Sequence, residues 1–501
     1  MLTIRDSWST IGRMSLSNRC VGLLVGAAAV GIPLSRSSAQ AAPDSVRIAR
    51  VVAGLRSSVQ VAGRRPRIWS LAERMSQYRA PGVSIAVISG GRVTWARGFG
   101  VKEAGGADAV TSETLFQAAS ISKPVAATGT LRLVAQGRLA LDTNVNRYLA
   151  SWQVPENRFT ASEKVTLRRL VSHSAGLTVH GFPGYAQGMP VPSVVQVLNG
   201  EKPANTAAVR VDTTPGAIWR YAGGGTTVQQ LLLTDVTGEP FPELIRRLVL
   251  APAGMTRSTY EQPLAEARWP EAARAHRGTG MVIPGRWHTY PEMAAAGLWT
   301  TPTDLARWAL AIAAARAGTD STLLPPALAA EMLTPQKGSF GLGPSLSGAG
   351  RAFRFGHGGA NEGFRSNLLY FPEAGVGAAV MVNSDNGDAL IQEIFYAIAA
   401  EFGWPDYGPR QISAVPRDSA ALAAAAGVYD MEFNRQRFPL TVRFEQGALS
   451  ASLPPSPVAE ELVPVDSIAY ASLSRGWRYE IRGDSLTVVI EDGPRISGKK
   501  R

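Results

Sequence analysis

The sequence predicts a mixed α/β protein in which strands come first, helices dominate the middle, and strands return before a second, smaller β domain. Three observations lead to this prediction. Apolar and β-branched residues form a hairpin pattern near residue 83 and three strand patterns after residue 353. Between them, from 144 to about 333, apolar residues mostly keep helical spacing. A stretch rich in Pro and Gly, 403–417, separates this part from a last region of strands and turns.

The first 41 of the 501 residues predict a signal peptide. Three arginines precede an apolar run, Val21–Leu34, and small residues before Ala42 form a cleavage site. The run is shorter than the roughly 20 residues that span a bilayer, so an uncleaved anchor is the weaker alternative, as is a transit peptide. We therefore expect export to the bacterial periplasm or the cell exterior, without stable membrane insertion after cleavage. Met14 is an alternative start.

The charge of the chain points away from nucleic acid as a partner. The net charge is +12, and residues 1–41 contain four arginines and one aspartate, so their removal leaves +9. Basic residues are scattered instead of clustered on one element, and adjacent ones form only short groups such as Arg64–Arg65 and the tail Lys499–Arg501. For an exported protein this predicts weak attraction to anionic polymers of the cell envelope.

The cysteines and histidines exclude two kinds of chemistry. The single cysteine, Cys20, lies in the predicted signal peptide, which excludes thiol catalysis, disulfides and cysteine metal sites from the mature chain. No two histidines form an HxxxH or HxH pair, so the sequence does not predict a zinc enzyme. We expect a mechanism without metal or cofactor. The histidines are His173, His180, His276, His288 and His357.

The larger domain, predicted over 42–403, begins with a hairpin whose strands, Val83–Ile88 and Val93–Ala96, flank a glycine turn. A helix is predicted over Ile121–Gln136, with Ser120 as N-cap and Pro124 in the first turn, where proline is tolerated. The later predicted elements are helices Thr226–Val236, Phe241–Leu250 and Thr303–Ala315, strands Phe353–His357, Arg365–Phe371 and Val376–Val382, and a last helix Asp388–Phe402.

A small all-β domain is predicted over 418–501, after a linker over 404–417. Its segments alternate polar and apolar residues around the turns at Gly447 and Gly483. The sequence points to no ligand for this domain, so structural support and tethered binding both stay open. The predicted strands are Leu440–Phe444, Ala448–Leu453, Trp477–Ile481 and Ser485–Ile490.

Ser120 and Lys123 are the first candidates for chemistry. Residues three apart share one face of a helix, which brings a lysine amine beside a serine hydroxyl as base and nucleophile. A serine at a helix N-terminus also gains from the macrodipole and from free backbone N–H groups. The pattern alone is weak, because a second pair, Ser497 and Lys500, stands in the basic tail, where we interpret it as a chance occurrence.

The context of Ser120 is specific, because five segments together resemble the class C β-lactamase-like serine hydrolases, a family that includes penicillin-binding DD-peptidases and esterases. They occur in the order of the family and cover roughly residues 70–400. The segments are Phe116–Lys123 (FQAASISK), Val165–Leu177 (VTLRRLVSHSAGL), Pro215–Gly225 with its tyrosine, Ala296–Ala306 (AGLWTTPTDLA), and Gly356–Arg365 (GHGGANEGFR).

This resemblance implies a fold and a set of roles. The fold is an antiparallel sheet of N- and C-terminal strands flanked by helices, with a helical region inserted between them; the small C-terminal domain is expected to be barrel-like. Ser120 would be the nucleophile, with Lys123 and Tyr221 sharing its proton. Since tyrosine titrates near pH 10, we hypothesise a phenolate stabilised by Lys123. The third motif would place His357 in the catalytic site, and the backbone N–H groups of Ser120 and Ala360 would form the oxyanion hole.

Two departures from the β-lactamase pattern bear on substrate binding. Gly223 stands where those enzymes have the Asn of Tyr-x-Asn, so the amide that grips a substrate amide is missing. His357, Gly358 and Gly359 replace Lys-Thr-Gly, and an imidazole is mostly neutral at pH 7. We expect Gly223, Gly358 and Gly359 to line the substrate site, and both departures favour ester over amide substrates.

Structural interpretations of the same residues stay open. Tyr221 can be a core tyrosine, His357 a histidine at a strand end, and the glycines of the third motif can serve close backbone packing. His173 is interpreted as structural, with Ser172 and Ser174 as local partners; Trp299 and Trp308 are expected in the core.

The sequence thus predicts an exported serine hydrolase that cleaves a small ester. One alternative is a peptidoglycan DD-peptidase or weak β-lactamase. Another is a non-catalytic penicillin-binding-like scaffold, which retention of Ser120, Lys123 and Tyr221 disfavours. The physiological substrate and the oligomeric state are not set by these patterns, because loops shape the pocket.

Overall fold

A six-stranded antiparallel sheet forms the centre of the larger domain in this computed structural model, which describes residues 44–433, 436–453, 458–490 and 495–501. The predicted signal peptide, 1–41, lies outside the described residues. The strands up to the last of the sheet are β1 (Leu55–Arg56), β2 (Val59–Val61), β3 (Ile68–Trp69), β4 (Gly82–Ser89), β5 (Arg92–Gly100), β6 (Phe116–Gln117), β7 (Trp299–Thr300), β8 (Ser345–Ser347), β9 (Arg354–Asn361), β10 (Phe364–Phe371) and β11 (Val376–Val382). The central sheet has the order β5–β4–β11–β10–β9–β8.

Helices surround this sheet and fill the region between β5 and β8. The helix α7 continues directly as a π-helical turn, Arg246–Leu250. Within the described ranges, no helix combines the length and apolar content needed to cross a bilayer. The α-helices of this part are α1 (Asp44–Val52), α2 (Leu71–Gln77), α3 (Ser122–Ala135), α4 (Leu167–Val171), α5 (Val194–Asn199), α6 (Gly223–Thr237), α7 (Phe241–Ile245), α8 (Met293–Ala296), α9 (Pro302–Ala317), α10 (Pro326–Met332) and α11 (Gly387–Phe402).

Strand β4 shows why the sheet is covered on both faces. Its side chains alternate between two apolar cores, because successive residues of a strand point to opposite faces. Ala86 and Ile88 belong to the core that includes α3 and α9, whereas Ile85 and Val87 belong to the core with α11. A central strand buried on both sides therefore reads as the continuous apolar run seen in the sequence.

The predicted fold class is confirmed. N-terminal strands β4 and β5 and C-terminal strands β8–β11 share one antiparallel sheet, and the helical region is inserted between them. The hairpin turn falls at Gly90 and Gly91, whose φ angles of +61° and +69° favour glycine.

The C-terminal part forms a closed eight-stranded barrel, preceded by a short helix, α12 (Ser419–Ala425). Its interior is packed with apolar side chains, among them Tyr429, Tyr470 and Leu486. The sequence predicted four of its strands and treated Ser497–Lys500 as a tail after the last strand, which is wrong, because these residues lie in the strand that closes the barrel. The strands are β13 (Gly427–Phe433), β14 (Gln436–Glu445), β15 (Ala448–Ser452), β16 (Glu460–Pro464), β17 (Ala469–Ser472), β18 (Arg478–Arg482), β19 (Ser485–Val489) and β20 (Arg495–Lys500).

The segment predicted as a linker, 404–417, is ordered by long-range pairing. It contains strand β12 (Arg410–Ile412), which runs parallel to β2. The residues around β2 also meet the barrel, because the N–H of Val59 donates to the carbonyl of Leu473 at 3.0 Å. Proline and glycine content predicted a linker here, and the strand within it could not be predicted, because its pairing partner lies about 350 residues away in the chain and leaves no local signal.

Candidate active site

A 3-10 turn, Ala119–Ile121, carries Ser120 between strand β6 and helix α3. The turn requires a φ of +50° at Ala119, which is uncommon for a residue with a side chain. The hydroxyl of the buried Ser122 secures it by donating to the carbonyl of Ala119 at 2.5 Å and accepting from the N–H of Leu298 at 3.0 Å. The expected N-cap role of Ser120 is wrong, since the cap of α3 is Ile121 and no side chain caps it. The half-buried Ser120 is thus free for other contacts.

Lys123 faces Ser120 from the first turn of α3. Its Nζ donates to Ser120 Oγ at 3.0 Å and to the carbonyl of Ala295 at 2.8 Å. The side chain is 4% exposed, and burial lowers the pKa of this amine to about 7. Burial therefore favours the neutral amine, which can accept the proton of a serine hydroxyl.

Tyr221 lies on the other side of this pair. Its ring centroid is 4.9 Å from Lys123 Nζ, and its hydroxyl interacts with Ser120. Burial raises the pKa of the phenol above its ordinary value of 10, and the contact with Ser120 offsets this only in part. The amine lies over the ring, and burial favours the protonated phenol at rest, so a phenolate stabilised by Lys123 stays a hypothesis for the reacting enzyme. Tyr221 is better placed as a proton donor.

His173 holds Tyr221 in place. The two ring centroids are 4.3 Å apart, and His173 Nδ1 accepts from the N–H of Ala222 at 3.3 Å. Burial, followed by the charge of Lys123, lowers the pKa of this imidazole well below its usual value. The sequence assigned Ser172 and Ser174 as its partners, but their hydroxyls bond to each other at 3.0 Å. The neutral imidazole of His173 therefore supports Tyr221 through ring contact and through the N–H of the next residue, Ala222.

The third motif lies on strand β9, mostly in the part that extends beyond the end of its neighbour β8. Its neighbour β8 pairs with Arg354, Phe355 and Gly356 only, so the residues from His357 onward continue beyond β8. A Cβ added at Gly359 would overlap the carbonyl oxygen of Ala118, which places this strand directly against the turn that carries Ser120. Ala360 follows on the exposed side of β9.

The two glycines of the motif have different roles. Gly359 serves close packing, because Ala118 and Ser366 leave no space for a side chain. Gly358 is exposed, and a Cβ added there would have no neighbour nearer than 3.9 Å. The space above Gly358 is thus open to a ligand.

His357 presents an unoccupied nitrogen to the site. Its Nδ1 lies 2.5 Å from the carbonyl oxygen of Gly358, and a carbonyl can only accept, so Nδ1 carries the proton. Nε2 is then an acceptor, and it has no hydrogen-bond partner within the described part of the chain. Burial and the charge of Lys123 lower the pKa of the ring to about 4. The imidazole is neutral at pH 7 and offers no positive charge to a substrate carboxylate.

Gly223 does not line the open site as the sequence predicted. Its N–H donates to the carbonyl of His180 at 3.1 Å, and its own carbonyl accepts from Thr227 Oγ1 at 3.2 Å. A Cβ at this position would lie 2.9 Å from the ring of Phe182. Because an aromatic ring takes the place of the missing amide side chain, Gly223 keeps no free group for a substrate.

The polar side chains of Gln117 and Asn361 connect the segment that contains Ser120 with the third motif. Asn361 Nδ2 donates to Gln117 Oε1 at 2.8 Å and to the carbonyl of Ala296 at 3.1 Å. Gln117 in turn donates to the carbonyl of His288 at 2.8 Å. The only sign of this contact in the sequence is the position of Gln117 and Asn361 in two of the five segments that resemble the family.

Glu292 is a buried acid that no sequence pattern indicated. Its side chain is 0% exposed, and neither carboxyl oxygen has a hydrogen-bond partner among the residues that the structure describes. Burial raises its pKa to about 7. It immediately precedes α8, the helix whose residue Ala295 accepts from Lys123.

Known proteins resemble this chain over the part that contains Ser120. The sequence model of the family described as Beta-lactamase matches residues 70–401, a range that includes Ser120, Tyr221 and the third motif. Penicillin-binding protein 4 of Amycolatopsis lactamdurans is 24% identical over 374 residues, 71% of this chain and 95% of that protein. Esterase EstB of Burkholderia gladioli is 26% identical over 189 residues, 36% of this chain and 48% of the esterase.

The solved structures agree in fold. The octameric penicillin-binding protein homologue from Pyrococcus abyssi superimposes with a TM-score of 0.58 and 21% identity, covering 86% of this chain and 98% of that chain. The match extends beyond the residues 70–401 of the family match, because 86% of this chain exceeds the length of that range.

Proposed function

Because the chain belongs to the β-lactamase family, we propose that it is a serine hydrolase that cleaves a small ester through an acyl-enzyme on Ser120. One observation carries the proposal: the amine of Lys123 lies 3.0 Å from Ser120 Oγ, and burial lowers its pKa to about 7. A neutral amine at this distance is a general base poised near the working pH.

In the acylation step, Ser120 Oγ attacks the ester carbonyl while its proton passes to Lys123. The oxyanion accepts hydrogen bonds from the backbone N–H groups of Ser120 and Ala360. When the tetrahedral intermediate collapses, the C–O bond to the alcohol breaks and the phenol of Tyr221 protonates the leaving oxygen. The proton on Lys123 then restores the phenol, so the acyl-enzyme forms with both groups in their starting states.

Deacylation repeats these steps with water. Water attacks the acyl carbonyl and gives a proton to Lys123, and the bond between Ser120 Oγ and the acyl carbon breaks. Tyr221 protonates the departing serine oxygen and recovers its proton from Lys123, which leaves the free carboxylic acid and the starting enzyme.

The geometry favours an ester over an amide or a carboxylate-bearing substrate. The ring of Phe182 fills the position of the amide side chain at Gly223, so a substrate amide loses that partner. His357 is neutral at pH 7, with its pKa lowered to about 4, and it cannot form an ion pair with a substrate carboxylate. Both features reduce recognition of peptides and β-lactams more than recognition of simple esters.

A DD-peptidase or weak β-lactamase is the second candidate, because a penicillin-binding protein matches 71% of this chain. Nitrocefin turnover that exceeds ester turnover would favour it. The third candidate, a non-catalytic scaffold, predicts that a fluorophosphonate does not label Ser120. Export directed by residues 1–41 stays a prediction.

The test compares hydrolysis of p-nitrophenyl butyrate by the mature protein with that by Ser120→Ala. The matched control is Ser497→Ala, because Ser497 also stands three residues before a lysine but lies exposed on barrel strand β20. We expect Ser120→Ala to lose at least about a thousandfold in kcat/KM, as losing a nucleophile does. The Ser497→Ala variant should equal the wild type. Equal activity of the Ser120→Ala variant and the wild type would overturn the assignment of the nucleophile.

The role of Tyr221 has a separate test. Tyr221→Phe keeps the ring against His173 and removes the proton donor, so we expect kcat to fall about a hundredfold or more while the protein stays folded. A variant whose pH–rate profile and kcat match the wild type would show that Tyr221 is a packing residue only.

A further inference from the structure

An exposed aromatic side chain stands two residues before Tyr221. Of the tryptophans in the described ranges, Trp219 is the most exposed, at 40%, whereas Trp299 and Trp308 are fully buried as predicted. A tryptophan kept at the surface leaves a large apolar face in contact with water, which marks candidate binding surfaces when it adjoins a functional site. Its neighbour Ile218 is also exposed, at 44%.

Trp219 is joined to the catalytic groups through Phe340. The rings of Trp219 and Phe340 have centroids 5.1 Å apart and an interplanar angle of 33°. Phe340 in turn lies 6.4 Å from the ring of Tyr221 and 6.0 Å from that of His357. The two aromatic residues thus form one apolar wall from the solvent to the proton donor.

The loop that carries Phe340 packs against the indole of Trp219. Phe340 is 9% exposed, and a Cβ at Gly338 would lie 3.6 Å from Trp219 Cγ, so the loop of Phe340 supports the indole from one side. With 40% of its surface exposed, the indole keeps area that a ligand can cover. A planar apolar group that stacks there would gain both buried area and ring–ring contact.

We propose that Trp219 and Phe340 form a subsite for an aromatic group on the alcohol side of the ester, so that the preferred substrates are esters of arylalkyl alcohols such as benzyl esters. The inference rests on the proposed function, because it takes Tyr221 as the donor to the leaving alcohol. A group that leaves next to Tyr221 lies beside Phe340, and its aromatic ring reaches Trp219. The carbonyl oxygen of the ester, by contrast, points to the backbone N–H groups of Ser120 and Ala360.

The test measures kcat/KM by pH-stat for benzyl acetate, ethyl acetate and ethyl phenylacetate, in the wild type, Trp219→Ala, Trp219→Phe and the control Ile218→Ala. Ratios between variants cancel the intrinsic reactivity of each ester. For Trp219→Ala we expect the benzyl acetate to ethyl acetate ratio to fall about tenfold, and for Trp219→Phe to change less than about threefold. Ile218→Ala should keep the wild-type ratio.

Two results would overturn the subsite. One is an equal loss for benzyl and ethyl acetate in Trp219→Ala, which indicates a general structural effect. The other is a selective loss for ethyl phenylacetate, which places the wall on the acyl side. Melting temperatures of all variants show whether the fold is intact.

A binding experiment distinguishes failure of the proposed function from failure of the subsite. Saturation-transfer NMR with benzyl alcohol on Ser120→Ala reports the subsite without catalysis, and the signal should be lost when Trp219→Ala is added. If wild type and Ser120→Ala hydrolyse esters equally while this signal behaves as expected, the function is wrong and the subsite stands. If the signal is the same with and without Trp219, the subsite is wrong.

Discussion

Replacing Glu292 by glutamine should remove a pH-dependent loss of stability. The carboxyl is fully buried, and its pKa rises from an ordinary value of 4.5 to about 7 because burial penalises the charged form. The folded chain therefore binds this proton more tightly than the unfolded chain. Its stabilising contribution is present in full below pH 4.5 and is lost as the pH rises to about 7.

The magnitude follows from the shift. Each pKa unit corresponds to about 1.4 kcal/mol, so the full contribution is about 3 kcal/mol, most of which disappears between pH 5 and pH 8. Glutamine has nearly the same shape and does not ionise in this range, so Glu292→Gln should lack this decline. Its amide also carries buried polar atoms, so the informative quantity is the change with pH and not the stability at one pH.

The assay is urea unfolding followed by tryptophan fluorescence at pH 5 and pH 8. The control is Glu266→Gln, which removes an exposed carboxylate on the turn Glu266–Glu271. The free energy of unfolding should fall between the two pH values by about 2 to 3 kcal/mol more in the wild type and in the control than in Glu292→Gln. The same decline in all three proteins would refute the reasoning, because another group would then carry the pH dependence.

Two further predictions concern the nucleophile and the strand beside it. Ester kcat/KM should rise with pH around an apparent pKa near 7, since the neutral amine of Lys123 is the base; Lys123→Arg should lose about a thousandfold, and an unchanged profile in this variant would exclude Lys123 as the base. Gly359→Ala should lower the melting temperature together with activity, because its Cβ meets the carbonyl of Ala118, whereas Gly358→Ala should melt like the wild type and raise KM. Differential scanning calorimetry and ester kinetics check both, and a normally stable, fully active Gly359→Ala would contradict the packing argument.

Local patterns predicted much of the fold. The strands around Gly90 and Gly91 follow from apolar and β-branched runs on either side of a glycine turn, and the helix after Ser120 follows from helical spacing; both signals act over a few residues. The chemistry of Ser120 and Lys123 needs only one helical turn, so it too was visible as a spacing of three. Tyr221 and Ala360 lie about 100 and 240 residues further along the chain, and only the family resemblance pointed to them.

The remaining features depend on contacts between distant segments. The carbonyl of Ala295 that orients Lys123 is a backbone group and has no sequence signal. Phe182 takes the place beside Gly223, and the hydrophobic pattern does not tell which loop fills such a gap. The position of the Lys123 amine over the ring of Tyr221 is likewise set by packing between distant segments and has no sequence signal.

The closing strand of the barrel affects the order in which the two parts of the protein can fold during synthesis. Strand β20 pairs with both β13 and β19, so neither edge is satisfied until Arg495–Lys500 has been synthesised. The strands of the hydrolase sheet and α11 are complete by Phe402, so this part can fold on the ribosome while the barrel is still incomplete. A chain interrupted before Arg495 would have the folded turn of Ser120 together with two unpaired strand edges, β13 and β19, which are templates for pairing between molecules. Nascent or truncated chains would then aggregate through the incomplete barrel.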